Sequence, residues 1–183
     1  MTLVMQLDQN SLYWIQENIR NAFLSPFFIF ITRLGNSGFI WLITAFVLLG
    51  VKKYRPYGAA LLLSLIVSSI LVDEILKNMF CRVRPFNAMP GLIALIPKPG
   101  SYSFPSGHTT TAFAAATVIA RCLPKKIGVP GYILAILIAF SRMYLGVHYP
   151  TDVFAGVILG VLIGEVSFWV MKLIESRSIP PKE

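Results

Sequence analysis

The length of the apolar runs most constrains what this chain can fold into. Ser37 to Val51, Tyr57 to Leu76, Gly107 to Cys122, Val129 to Met143 and Thr151 to Ile174 are rich in aliphatic and aromatic residues and carry few charges. A helix needs roughly 20 such residues to cross a hydrocarbon core, so the shorter runs must draw on their interfacial flanks. In lipid the backbone N–H and C=O groups must bond within their own segment, which makes each run a helix. The expected fold is all-α, a polytopic transmembrane bundle with about five to six spans. Hydrophobic residues make up 56% of the chain and charged ones 13%, with a mean hydropathy of +0.70, which excludes a soluble domain with a charged exterior.

No repeat, low-complexity tract or long linker divides the 183 residues, so residues 1–183 read as a single membrane-embedded domain. The opening Met-Thr-Leu-Val lacks a basic region and a small-residue cleavage site, so no cleavable leader is expected. Between Leu7 and Leu34, Leu12, Ile15, Ile19 and Phe23 recur at helical spacing while Gln9, Gln16, Glu17 and Arg20 point elsewhere. This predicts an N-terminal amphipathic helix on the membrane surface. Pro26 and Gly35-Asn36-Ser37-Gly38 are expected to interrupt it, with Phe27 to Thr32 available to lengthen the first span or form part of a sixth.

The net charge of +8 does not point to nucleic acid, because the basic residues sit in short connectors beside the spans. With five spans, Lys52-Lys53-Tyr54-Arg55, Arg121 to Lys126 and the tail bearing Lys172, Arg177 and Lys182 share one side, which the positive-inside rule makes cytoplasmic. Cys81 and Cys122 then fall towards opposite sides, so no disulfide joins them. Neither has the spacing of a zinc or redox motif.

The other side carries Lys77, Arg82, Arg84, Arg142, His108, His148 and Asp152. Basic residues there run against the positive-inside tendency, and an anion is the simplest partner for them. Lys77 and Arg84, with Pro85 after it, offer a compact ammonium and a planar guanidinium to one phosphate, unless both merely anchor a helix end. In Phe104-Pro105-Ser106-Gly107-His108, Ser106 and Gly107 stand at a predicted helix N-terminus, where free N–H groups and the helix dipole favour phosphate oxygens; an ordinary serine cap is the plainer reading. Asp152 follows His148 by four residues, so the carboxylate can fix the imidazole tautomer and leave the other nitrogen free to attack. Asp73 and Glu74, one turn before Lys77, are read as structural partners of Lys77 or Arg82, and Glu165 as a structural carboxylate in the last span. Phe86 to Phe104 is expected to border the site entrance, with Met89, Leu92, Ile93, Leu95 and Tyr102 touching lipid.

Lys77 with Arg84-Pro85, Pro105-Ser106-Gly107-His108, and Ser141-Arg142 with His148 and Asp152 together resemble the three-part signature of the type-2 phosphatidic acid phosphatase superfamily, the lipid phosphate phosphatases. The likeness covers residues 77–152 at every signature position. It implies His148 as nucleophile, Asp152 as its orienting carboxylate and His108 as the acid for the leaving alkoxide. Lys77, Arg84, Ser106, Gly107 and Arg142 would hold the phosphoryl group, and neither a metal nor another cofactor is implied. Three cations suffice for a reaction that depends on positioning and electrostatics.

The resemblance implies an enzyme of a bacterial cell membrane acting on a lipid phosphomonoester such as phosphatidylglycerophosphate or phosphatidate, and the positive-inside count puts its active site on the non-cytoplasmic face. The rival substrate is undecaprenyl or another polyprenyl diphosphate, handled by the same residues. The haloperoxidases of the superfamily fit less well, being soluble, and a catalytically silent lipid-binding or transport protein would not require His148, His108 and Asp152. The Pro-Ser-Gly-His block itself brings no acidic side chain beside His108 to repel or share a proton with a second phosphate, and lipid monophosphates are expected to be favoured.

Overall fold

The computed structural model describes residues 2–177. Its helices are α1 (Leu3–Trp14), α2 (Leu24–Leu34), α3 (Phe39–Gly50), α4 (Arg55–Ser69), α5 (Lys77–Phe80), α6 (Pro85–Ala88), α7 (Gly107–Cys122), α8 (Lys125–Tyr144) and α9 (Pro150–Arg177), with no strand among the described residues. Each expected span falls on a helix, but α7, at 16 residues, is too short to cross a bilayer by itself. The stretch that holds α4 to α6, together with α8 and α9, is long and apolar enough to cross a bilayer. At 12 residues α3 is too short alone; joined to α2 through a 50° bend, it makes a pair long and apolar enough for one broken span or a re-entrant loop, and in the first arrangement Phe27 to Thr32 lengthens the first span. Lys182 of the tail lies outside the described residues.

Helix α7 is the axis of the bundle. Ala112, Ala114, Ala115 and Ala116 are fully buried, and small side chains let the neighbouring backbones approach closely. Gly156, Gly160 and Gly164 form the matching stripe on α9: a Cβ at Gly160 would stand 2.5 Å from the Thr110 carbonyl oxygen, and one at Gly156 would stand 3.0 Å from that of Ser106. The opposite edge of α9 exposes Phe154, Ile158, Leu162, Val166 and Trp169 at helical spacing, as a lipid-facing surface requires. Arg121 and Glu165 pair at 2.7 Å, giving the carboxylate of the last span its partner.

The N-terminal segment departs from the expected surface helix. α1 passes into a wider π-helical turn, Ile15–Ile19, and stops at Arg20. Leu12 and Ile15 are buried against the protein rather than turned to lipid, whereas Phe23 is 86% exposed, together with Leu3, Leu7 and Trp14. The inward face is partly polar. Arg20 donates to the carbonyls of Tyr144 and Ile93, and Gln16 bonds to Gly91 and Ile93. The segment therefore clamps the 89–95 connector and leaves Met89 and Leu92 buried against Leu12 and Tyr149 rather than touching lipid, while Leu95 packs beside Phe86 and Tyr144. Ile93 and Tyr102 do remain exposed. Pro26 breaks nothing, because it sits in the first turn of α2, where the missing N–H costs no helical bond.

Candidate active site

The three signature blocks reach one end of the bundle by different local devices. The helix that begins with α4 widens into a π-turn over Ile70–Leu76 before α5, and this brings Asp73 and Lys77 to the same wall. Cys81 then turns through a positive φ of 46° and the chain leaves the helix, so that Arg84 comes back towards the axis. Ser106 is the N-cap residue of α7, with Gly107 and His108 in the first turn. Between α8 and α9, Gly146 adopts φ +72°, and a Cβ there would meet Arg20 Nη2 at 2.7 Å and the Ile93 carbonyl at 2.9 Å. That tight turn, closed by bonds from the Val147 and His148 N–H groups to the Arg142 carbonyl, sets His148 beside Arg142.

A cavity of about 360 Å³ results, and Lys77, Arg84, Gly107, His108, Arg142 and His148 all line it. Pro99 and Ser101 of the 86–104 connector complete its rim, and Gly35, Ser37 and Gly38 from the α2–α3 bend close the other side. Arg84 and Arg142 are 4% and 3% exposed, and neither pairs with a carboxylate among the described residues. Arg84 is fixed by the Ser101 and Val147 carbonyls, and Arg142 donates to Thr32 Oγ1 while its buried Nε–H has no partner. Buried unpaired cations are costly, so this arrangement fits an anion.

His148 is 2% exposed, with its Nε2 3.2 Å from Arg84 Nη1. A guanidinium can only donate, so Nε2 is the acceptor nitrogen and Nδ1 carries the proton. Burial, reinforced by Arg84 and Arg142, pushes His148 down to about 3 against the pull of Asp152, which keeps the ring neutral at physiological pH. Nδ1 stands 3.5 Å from Asp152 Oδ2, beyond hydrogen-bond range, as catalytic contacts often do before substrate binds. Asp152 lies behind His148 and outside the cavity wall. It accepts from Ser103 Oγ, the Tyr149 N–H and Arg82 Nη1.

His108 Nε2 stands 2.9 Å from Asn36 Oδ1. Ser106 is fully buried, with its N–H committed to the Asp152 carbonyl and its Oγ accepting from Thr109, and it is not part of the cavity lining. Sequence reasoning missed Asn36, Ser101, Ser103 and Thr32, which reach the signature residues from distant segments, and Asp8, which reaches Arg82 and Thr151 beside them. It also left the cavity without a carboxylate. Asp73 pairs with Lys77 at 2.7 Å, and its Oδ1 would lie 3.3 Å from a Cβ on Gly107. The i, i+4 spacing signalled the pairing, but only the folded wall shows that it faces the site.

Residues 54–175 match the family model described as PAP2 superfamily. The chain belongs to that superfamily. Among its relatives is an undecaprenyl-diphosphatase of Sulfolobus acidocaldarius, 35% identical over 80% of this chain and 70% of that protein. A phosphatidylglycerophosphatase B of Bacillus subtilis is 34% identical over 79% of this chain and 74% of its own length. The crystal structure of a transmembrane PAP2-type phosphatidylglycerolphosphate phosphatase from Bacillus subtilis superposes with a TM-score of 0.77 at 28% identity, over 100% of this chain and 90% of that one. The PAP2 fold of this integral membrane protein thus extends over the N-terminal clamp as well as the signature region.

Proposed function

We propose that this PAP2 protein is a lipid phosphate phosphatase that hydrolyses a terminal phosphomonoester through a phosphohistidine. The observation that carries the reading is the pair of buried guanidiniums, Arg84 and Arg142, unpaired by carboxylates and sharing one cavity with the acceptor nitrogen of a neutral His148. His148 Nε2 attacks phosphorus and the P–O bond to the lipid breaks. Its electron pair leaves on the alkoxide, which takes a proton from His108. Water then attacks the phosphorus, giving its proton to His108, and the P–N pair returns to His148 as inorganic phosphate departs. Arg84, Arg142, Lys77 and the Gly107 N–H stabilise the equatorial oxygens, and Asp152 stabilises the positive ring. Ser106 supports this from outside the cavity, through the bond of its N–H to the Asp152 carbonyl.

The headgroup preference rests on Asp73. Its carboxylate shares the cavity with Lys77 and disfavours the additional negative charge of a diphosphate beside the reacting phosphoryl group, which supports lipid monophosphates as substrates. Phosphatidylglycerophosphate is put first among them on the strength of the Bacillus relatives. A polyprenyl diphosphate is the second reading, favoured by the Sulfolobus relative. Positive residues gathered at the other end, where Arg121 and Lys172 line one crevice, support a non-cytoplasmic active site in a cell membrane. In intact cells an impermeant thiol reagent should then reach exposed Cys81 in preference to Cys122.

The test is phosphate release from purified lipid phosphates and a polyprenyl diphosphate at equal surface concentration in mixed micelles. His148→Ala should abolish turnover, orthovanadate should inhibit, and EDTA should leave the rate unchanged. Full activity in His148→Ala, or a rate that requires a divalent metal after EDTA, would reject the mechanism. A preference of about tenfold or more for the diphosphate, worth about 1.4 kcal/mol, would make the second reading correct.

A further inference from the structure

The N-terminal helix delivers one residue to the catalytic end that the signature does not contain. Asp8, in α1, is 1% exposed although it is a carboxylate in an otherwise apolar membrane protein. Its Oδ2 accepts from Arg82 Nη2 at 2.6 Å and from Thr151 Oγ1 at 2.6 Å, and its Oδ1 accepts from the Thr151 N–H at 3.0 Å. Arg82 in turn donates to Thr151 Oγ1 and to Asp152 Oδ1, and its guanidinium lies 4.1 Å from the centre of the Tyr149 ring. Asp8 therefore satisfies an early N–H of α9, the helix that carries Asp152, and closes a chain of alternating charges that ends on the nucleophile's own carboxylate.

We propose that Asp8 is a positioning residue for the nucleophile: it offsets the charge of Arg82 and leaves Asp152 free to stabilise His148 as that ring becomes positive. Resting on the phosphohistidine reading above, this follows from counting charges. Asp152 alone would present one negative charge to His148, but Arg82 bonded to it cancels that charge. The pair is neutral, and a neutral pair stabilises a phosphoimidazolium poorly. Asp8 on the far side of Arg82 restores a net negative charge to the trio. The Thr151 contacts hold the first turn of α9 so that the restored charge points at Nδ1. An apolar residue at position 8 would leave Arg82 bound to Asp152 alone.

The experiment compares wild type, Asp8→Asn, Arg82→Gln and the double variant in detergent. It reads kcat and KM for a lipid monophosphate, together with the acid-labile, base-stable phosphoenzyme trapped by rapid quench. Asp8→Asn keeps the shape and an acceptor for the Thr151 N–H but loses the charge. It should lower kcat by about tenfold or more, the scale of one uncompensated charge near the reacting centre, while KM changes by less than about threefold. Adding Arg82→Gln to Asp8→Asn should recover part of that loss, because the neutralising cation is then gone. Should Asp8→Asn not yield monodisperse protein, Asp8→Ser takes its place in the same comparison. An unchanged kcat, or a double variant as slow as or slower than the single one, would overturn the proposal and leave Asp8 a structural anchor. Absence of phosphoenzyme in the wild type would instead strike the phosphohistidine mechanism itself.

Discussion

Replacing Gly160 by alanine asks whether the close approach of α7 and α9 is what holds the site together. The added methyl would stand 2.5 Å from the Thr110 carbonyl oxygen, 2.7 Å from Phe113 Cβ and 3.0 Å from the Ala114 nitrogen. The nearest of these falls about 1 Å inside ordinary van der Waals separation, and two of the three are backbone atoms that cannot rotate away. The helices must part by about that distance. Overpacking of this kind costs about 1–3 kcal/mol, and for a chain of this size that lowers the melting temperature by roughly 2–12 °C. The same movement reaches the chemistry, because α7 begins with Gly107 and His108 while α9 carries Asp152, and the Ser106 N–H bonds to the Asp152 carbonyl at 3.1 Å. A misplacement of about 1 Å can cost roughly 10²-fold in rate. Thermal unfolding and phosphate release, measured on the same detergent-purified sample, give both quantities. Gly131→Ala on α8 is the control: its nearest contact is Ile119 Cγ2 at 3.8 Å, so the methyl fits and the gain in helix propensity should leave the protein as stable or slightly more so. A Gly160→Ala protein that melts within about 2 °C of wild type and keeps more than half its activity would refute the reasoning.

Three more outcomes are expected. Asp73→Asn should raise the ratio of kcat/KM for a polyprenyl diphosphate over a lipid monophosphate by about tenfold, the order of one partly screened charge contact, and an unchanged ratio would remove Asp73 from headgroup selection. His148 refuses a proton until about pH 3, whereas an unfolded histidine accepts one near 6.5. The unfolded chain therefore binds the extra proton between those values, and stability falls as pH drops through that window, by up to about 1.4 kcal/mol per unit from this group. His148→Gln should lose less melting temperature than wild type between pH 7 and 5, and equal losses would contradict a buried neutral ring. Asn36→Ala frees the His108 ring, so kcat should fall about 10- to 100-fold on an alkyl phosphate while an activated aryl phosphate is nearly spared, and an equal fall on both would argue against His108 as the acid.

The spans were legible because run length in an apolar solvent is a local property of the sequence. Tyr57 to Leu76 and Thr151 to Ile174 each lie within helical structure for that reason. The signature residues were legible for a related one: Arg142 with His148 and His148 with Asp152 are linked by one turn or one connector, so spacing alone sets their approach. What spacing could not show is which apolar side chains meet lipid and which meet protein, since a bilayer rewards both. Leu12, Ile15 and Met89, all expected to meet lipid, are therefore buried against protein, while Phe23 of the same predicted face stays exposed. Asp8 was illegible for the opposite reason. A carboxylate in an amphipathic segment reads as a solvated face, and the partners that bury it lie 74 and 143 residues away.

That separation has a consequence for biogenesis. The ribosome makes α1 first, but Thr151 follows only after every earlier helix has been synthesised, and it sits at the threshold of the last one to be inserted. Arg20 likewise waits for the carbonyl of Tyr144, 124 residues downstream. Until the end of α8, the α8–α9 connector and the first turn of α9 are made, the emerging chain holds Lys77, Arg84 and His108 without Arg142, His148 and Asp152, and without the Tyr144 and Thr151 groups that hold Arg20 and Asp8. A copy that ends before the last turn of α8 lacks both Arg142 and His148 from the cavity wall and the bonds that hold the N-terminal segment against that end of the bundle.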